Sequence, residues 1–262
     1  MMQCPKCHYT RKPSDTHVHD GVCPACGIAY QKWLDKHQAQ HAPVISENTP
    51  ENTTGDDFED SDKTGANFFS RLLITFTDTP STIDPAIFGL RAALLLALIF
   101  WWGGMAMHGI DWEVIGGSFM HNIDLAFHEF GHVFFSPFGT LMMFLGGSLF
   151  QILLPLVPLA SFTFQQRDNF SAAIMLAWCG QNFIDVAPYI RDAEYRALPL
   201  VGGATEANHD WGNILTMLDT VQSCYALAKI SFTIGVIVMG MGFLWAIYML
   251  QRQYQTMQNK AL

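Results

Sequence analysis

Charge is scarce in this chain. Lys, Arg, Asp and Glu supply only 14% of its 262 residues, while half are hydrophobic and the mean hydropathy is +0.18. That balance is too apolar for an ordinary soluble domain of this size and points to a membrane protein. Clustered Lys and Arg are also missing, which excludes the basic surface that nucleic acid requires. The formal charge of −9 does not indicate a basic partner either. Glu47, Glu51, Asp56, Asp57, Glu59, Asp60 and Asp62 crowd into one stretch beside a single Lys63, so the acidity belongs to a segment and not to a binding face. A secretory leader is lacking, because Cys4, Pro5, Lys6 and Cys7 stand where its apolar run would begin, and the first residues are expected to stay in the cytosol. A disulfide framework is lacking too. Four of the six cysteines form two Cys-x-x-Cys pairs and Cys179 and Cys224 stand alone, a pattern that suits metal binding in a reducing compartment.

What is present divides the chain into three parts. Residues 1–37 read as a small folded module. Residues 38–66, rich in Pro, Gly and Asp, contain few groups able to form a core and read as a flexible acidic linker. Residues 67–262 read as a membrane-embedded domain. Within it, 67–88 could lie along the membrane surface as an amphipathic helix. Segments 90–107, 139–164, 169–190 and 230–250 are long and apolar enough to cross a hydrocarbon layer. A fifth candidate, 114–135, carries His121, Asp124, His128, Glu129 and His132, which are costly facing lipid and mark function when they face a protein interior. The expected fold is therefore mainly α, a bundle of four to five spans preceded by the module and the linker. Because spans alternate in direction, segments 108–138 and 185–229 should meet at one membrane face.

Cys4-Pro5-Lys6-Cys7 and Cys23-Pro24-Ala25-Cys26-Gly27 are two knuckles whose four thiolates can converge on one zinc ion. Gly27 permits the backbone turn after the second. With all four positions filled, the site is expected to be structural, stabilising a module too short to build its own core.

His128-Glu129-Phe130-Gly131-His132 fits the pattern H-E-x-x-H. On a helix its imidazoles lie four residues apart on one face and can grip a second, catalytic zinc, while the Glu129 carboxylate can act as general base on a water. A catalytic zinc takes three protein ligands, so one more is needed. Asp185, Asp192, Glu194, His209 and Asp210 are the candidates in the segment that topology brings alongside. Each has a plainer role available: Asp185 as a packing group between helices, Asp192 as a solvated helix end, and Asp210 as a helix cap beside a loop His209. Asp124, one turn before His128, could orient a ligand imidazole or cap the motif helix.

Residues 110–195 resemble the site-2-type intramembrane zinc metalloproteases. The resemblance rests on His128-Glu129-Phe130-Gly131-His132, the span at 139–164, and then Asn182, Pro188 and Asp192. It implies His128 and His132 as zinc ligands, Glu129 as the base, Asp192 as the third ligand with His209 as second choice, and a membrane-protein substrate. Where the family carries Leu-Asp-Gly, this chain has Arg191-Asp192-Ala193. Residues 1–33 resemble the zinc ribbons at the N-termini of many bacterial membrane and regulatory proteins. The implied setting is a bacterial inner membrane, with lipid around the spans and a possible protein partner for the ribbon. Two other functions fit the same residues. One is a zinc hydrolase of another membrane substrate, such as a lipid amide, or a CAAX-type protease using Glu194. The other is a non-catalytic adaptor that binds a partner through the ribbon.

Overall fold

A computed structural model describes residues 3–12, 14–15, 18–30, 32, 62–80, 82–200 and 206–261. The chain forms two compact units, 1–58 and 59–262. The expected linker at 38–61 lies outside the described residues. The structure is mainly helical, with no strand among the described residues.

In the first unit each Cys-x-x-Cys sits at the tip of a tight turn closed by a single bridge, Gln3 to Thr10 in one and Val22 to Ala29 in the other. The two turns repeat one design. The residue after the second cysteine takes a positive φ in both, +58° at His8 and +72° at Gly27. Only the second turn uses the residue for which that conformation is inexpensive. Arg11 gathers the intervening loop, donating to the carbonyls of Asp15, Val18, His19 and Val22.

The second unit opens with α1 (Asp62–Thr77), so the stretch expected as a helix over 67–88 is helical only to 77, and continues with α2 (Pro85–Met107), whose start takes in its last residues. The start of α2 is set by Asp84, whose carboxylate accepts from the Ala86 N–H, and by Pro85, whose missing N–H costs nothing there. Short α3 (Trp112–Gly116) and the motif helix α4 (Phe119–Phe135) follow, capped by Asp111 and Ser118. Asp124, fully buried, caps nothing and does not touch a ligand imidazole: it accepts from the indole N–H of Trp178. Helix α5 (Thr140–Leu153) stops before Pro155, which cannot donate to the helical ladder, and resumes as α6 (Leu156–Ala160) and a π-helical turn (Ser161–Gln166). Then come α7 (Asn169–Arg191), α8 (Asp210–Met217) and the long α9 (Cys224–Ala261).

Four stretches are long and apolar enough to span a membrane: Pro85–Met107, Thr140–Gln166, Asn169–Arg191 and Val221–Asn259. Helix α7 is their centre, with 72% of its most apolar window buried against 17% for α2, whose side chains mostly face outward. It packs on α9 through small residues. A side chain at Gly180 would strike the backbone of Met239 and Gly235, and one at Gly242 would strike Ala177, so the two axes approach closely.

The ends of the spans can be placed by contact. Arg91, near the start of α2, pairs with Asp168 at the start of α7 at 2.8 Å, and Phe88 meets Tyr254 near the end of α9. Ser231 donates to Phe183, Gly235 packs on Gly180 and Gly242 on Ala177, so α9 runs antiparallel to α7. The Thr140–Gln166 span ends beside Asp168 and must therefore start at the opposite end, where α2 also finishes. Segment 108–139 thus leaves and re-enters the bundle at one end, and α4 is not a fifth crossing. Residues 192–200 and 206–223 are held at that same end, as the topology requires.

Candidate metal centre

In the first unit the four thiols lie together. Cys4 Sγ is 3.7 Å from Cys26 Sγ, and Cys7 Sγ is 3.6 Å from Cys23 Sγ. A tetrahedral zinc with sulfurs at about 2.3 Å has an edge of about 3.8 Å, so the cluster already has the size of a four-thiolate shell. Burial raises the Cys23 thiol, but the N–H groups of Cys26 and Ala25 outweigh it and hold it at about 6, as a thiolate at neutral pH. These four sulfurs could hold a metal ion.

In the second unit the group that could hold an ion is His128, His132 and Asp210, whose ligand atoms lie within 4.8 Å of one another. The Nε2 atoms of His128 and His132 stand 3.0 and 3.3 Å from Asp210 Oδ2. With bonds of about 2.1 Å, a tetrahedral zinc separates its nitrogen and oxygen ligands by about 3.4 Å, close to both distances. Each imidazole turns its other nitrogen away: His132 Nδ1 donates to the Met143 carbonyl at 2.8 Å, and His128 Nδ1 meets Gln151 Oε1 at 2.7 Å. This is the arrangement of a metal-ligating histidine.

Backbone packing brings the parts together. Gly131 of α4 and Gly146 of α5 face one another so closely that a side chain on either would strike the other helix. That contact seats the histidine pair over Gly147. On the third side, Trp211 of α8 donates to Ser148 at 3.0 Å. The Tyr189 hydroxyl of α7 donates to Asp210 Oδ2 at 3.2 Å and accepts from the Asp210 N–H at 2.9 Å, fixing this residue twice. Burial raises the Asp210 carboxyl, but the bonds to His128 and His132 prevail and hold it below the ordinary carboxylate value.

Asp192 and His209, the first and second choices for the third ligand from the sequence, do not join this group. They pair with each other: His209 Nε2 lies 3.2 Å from Asp192 Oδ2, which also accepts from the Leu198 N–H. His209 Nδ1 accepts from the Gly212 N–H, so it is His209, not Asp210, that caps α8. Fully buried and neutral, its imidazole is lowered from the ordinary value by burial, against the pull of Asp192. The cap turns the next side chain, Asp210, toward the histidines. Asp185 bonds to His121 at 3.0 Å and to Gln151 at 3.2 Å, which is its expected packing role, and Glu194 is exposed on the turn after α7. Tyr189 and Gln151 were not anticipated, although a lone Gln in the apolar run 141–154 is a signal of a polar contact at depth.

The histidines and Asp210 line a cavity of about 500 Å³ whose wall also includes Glu129, His121 and Leu200. Glu129 is exposed to it and bonded to none of the three. The arrangement can hold a cation on two nitrogens and an oxygen, with the Glu129 carboxylate alongside in the same cavity. Comparison with family models, with curated proteins and with solved structures gives no match.

Proposed function

We propose that the chain is a zinc-dependent hydrolase that cleaves peptide bonds in or beside the membrane, a metalloprotease of the site-2 type whose third ligand is Asp210. The observation that carries this reading is the convergence of His128 Nε2, His132 Nε2 and Asp210 Oδ2 beside Glu129 in one cavity. Zinc suits two imidazoles and a carboxylate, and it supplies Lewis acidity that polarises a scissile carbonyl and makes water easier to deprotonate.

The rest is the work of side chains. Glu129 takes a proton from the attacking water as its oxygen bonds to the carbonyl carbon. It then delivers that proton to the amide nitrogen as the C–N bond breaks, so an amine and a carboxylic acid leave. Asp210 offsets part of the ion's charge, and Tyr189 keeps its carboxylate in place. A helical substrate must unwind to enter, because its amides are otherwise bonded within the helix. The N-terminal module is read as a structural zinc ribbon on the cytosolic side of a bacterial inner membrane, where it could engage a protein partner.

The test is cleavage of apolar membrane peptides by the purified chain in lipid nanodiscs, followed by mass spectrometry, with lipid amides as a second substrate set. Glu129→Gln should lower peptide cleavage by about 10²–10⁴-fold while the zinc content stays unchanged. Undiminished cleavage by that variant, or turnover of lipid amides alone, would defeat the proposal.

A further inference from the structure

His128 can bind a metal through Nε2 only if its proton sits on Nδ1, and free neutral imidazole prefers the opposite arrangement. Something must impose the choice. For His132 it is the Met143 carbonyl, which only accepts. For His128 the neighbour is an amide, whose two ends offer opposite chemistry.

The orientation of that amide is dictated from behind. Gln151 is 3% exposed. Its Nε2 donates at 3.2 Å to Asp185 Oδ2 and at 3.2 Å to Asn182 Oδ1. Both neighbours present an oxygen to this end of the amide, so it is the NH₂ end of Gln151 that faces Asp185 and Asn182. Asn182 cannot offer a donor instead, because its own Nδ2 is committed to the Trp178 carbonyl at 3.0 Å. Asp185 is held in turn by His121 Nδ1 at 3.0 Å. The oxygen of Gln151 is thereby left for His128, which must bring N–H to it.

We propose that Gln151, set by Asp185 and Asn182, is a positioning residue that locks His128 in the Nδ1–H tautomer and so keeps its Nε2 lone pair for the metal. This rests on the metal site proposed above but not on hydrolysis. The lock joins three helices, α4, α5 and α7, so the same bonds that fix the tautomer also fix the distance of the motif helix from the bundle centre.

The test is metal binding by the full chain in detergent. Co²⁺ at the four-thiolate cluster is distinguished by its thiolate charge-transfer absorption, and the histidine site is titrated against a competing chelator. Gln151→Met keeps the volume but removes the acceptor, and it should weaken the histidine site by about 10–100-fold. Gln151→Glu combined with Asp185→Asn and Asn182→Ala reverses donor and acceptor across the contact, leaves an oxygen for both His128 and His121, and removes the Asn182 oxygen that the new carboxylate would otherwise meet. That set should restore affinity to within about threefold of wild type, inside the range of outer-shell effects. With ¹¹³Cd and ¹⁵N-histidine, coupling should appear at Nε2 of His128 in both wild type and the triple variant. Equal affinity in wild type and Gln151→Met overturns the lock. Should Gln151→Met fail to fold, the triple variant decides: retained binding through Nε2 supports the lock and loss of binding overturns it. A wild-type chain that takes up no Co²⁺ outside the thiolate cluster would instead remove the metal site itself.

Discussion

Gly147 gives the sharpest test of the site's geometry. A methyl group placed on it would lie 2.5 Å from His128 Nε2 and 2.7 Å from His132 Cε1, whereas ordinary contact begins near 3.4 Å. Gly147→Ala therefore asks the His128 ring to retreat by about 0.9 Å, several times the roughly 0.2 Å tolerance of a metal bond. The ring has no free direction to move, being held at its other nitrogen by Gln151. The expected loss is at least about 100-fold in metal affinity, or about 2.8 kcal/mol. Stability should change less. Alanine gains about 0.5–1 kcal/mol over glycine within a helix, and overpacking costs about 1–3 kcal/mol, so the net loss should lie between about 0 and 2.5 kcal/mol. Gly104→Ala in α2, where nothing lies within 4 Å, is the control and should keep both quantities. The assay is a metal count by mass spectrometry and a chelator competition on purified chain, with thermal unfolding in parallel. A Gly147→Ala protein that binds metal as wild type does would refute the placement of the histidine rings.

Other substitutions separate neighbouring roles. Asp210→Asn should remove the metal of the histidine site from the purified chain, whereas Asp192→Asn should keep it and instead loosen the start of α8, seen as faster amide exchange at Gly212 and Leu198. Cys4→Ser should cost one metal equivalent per chain and the folded signals of residues 3–12 and 18–30, with no change in the chelator competition of the other site; loss of both ions would contradict two separate centres. Gly180→Leu should break the α7–α9 contact and destabilise the chain by about 1–3 kcal/mol or more, measured by thermal unfolding in detergent, and an unchanged transition would count against that close approach.

Much of this arrangement is written locally. The spacing of His128 and His132 on one helical face, the two Cys-x-x-Cys turns and the apolar runs are short-range patterns, and each appears where the residues place it. The residue that joins the two histidines is not a local matter. Asp192 follows Pro188, the placing from which the sequence resemblance drew a third ligand, but the Leu198 N–H and His209 take its carboxylate. Asp210 is chosen by a cap: because His209 ends the loop by accepting from Gly212, the next residue starts the helix and points at the histidines. Nothing in periodicity distinguishes a His cap from an Asp cap. The path of α4 was equally open, since its 17 residues suit a short span as well as a re-entrant helix, and long-range contacts such as Arg91 with Asp168 and Phe88 with Tyr254 settle where the following span begins.

That both flanks of the motif helix meet the bundle at one end bears on what a reaction there could release. Newly cut chains carry a carboxylate and an ammonium, each forbidding to hydrocarbon. Because the cavity is lined by the motif helix, by residues 199–200 and 208–210 and by the 185–189 end of α7, all gathered toward one end of the bundle, both fragments of the proposed cleavage would depart toward the same aqueous compartment, with no charged terminus dragged through the lipid interior.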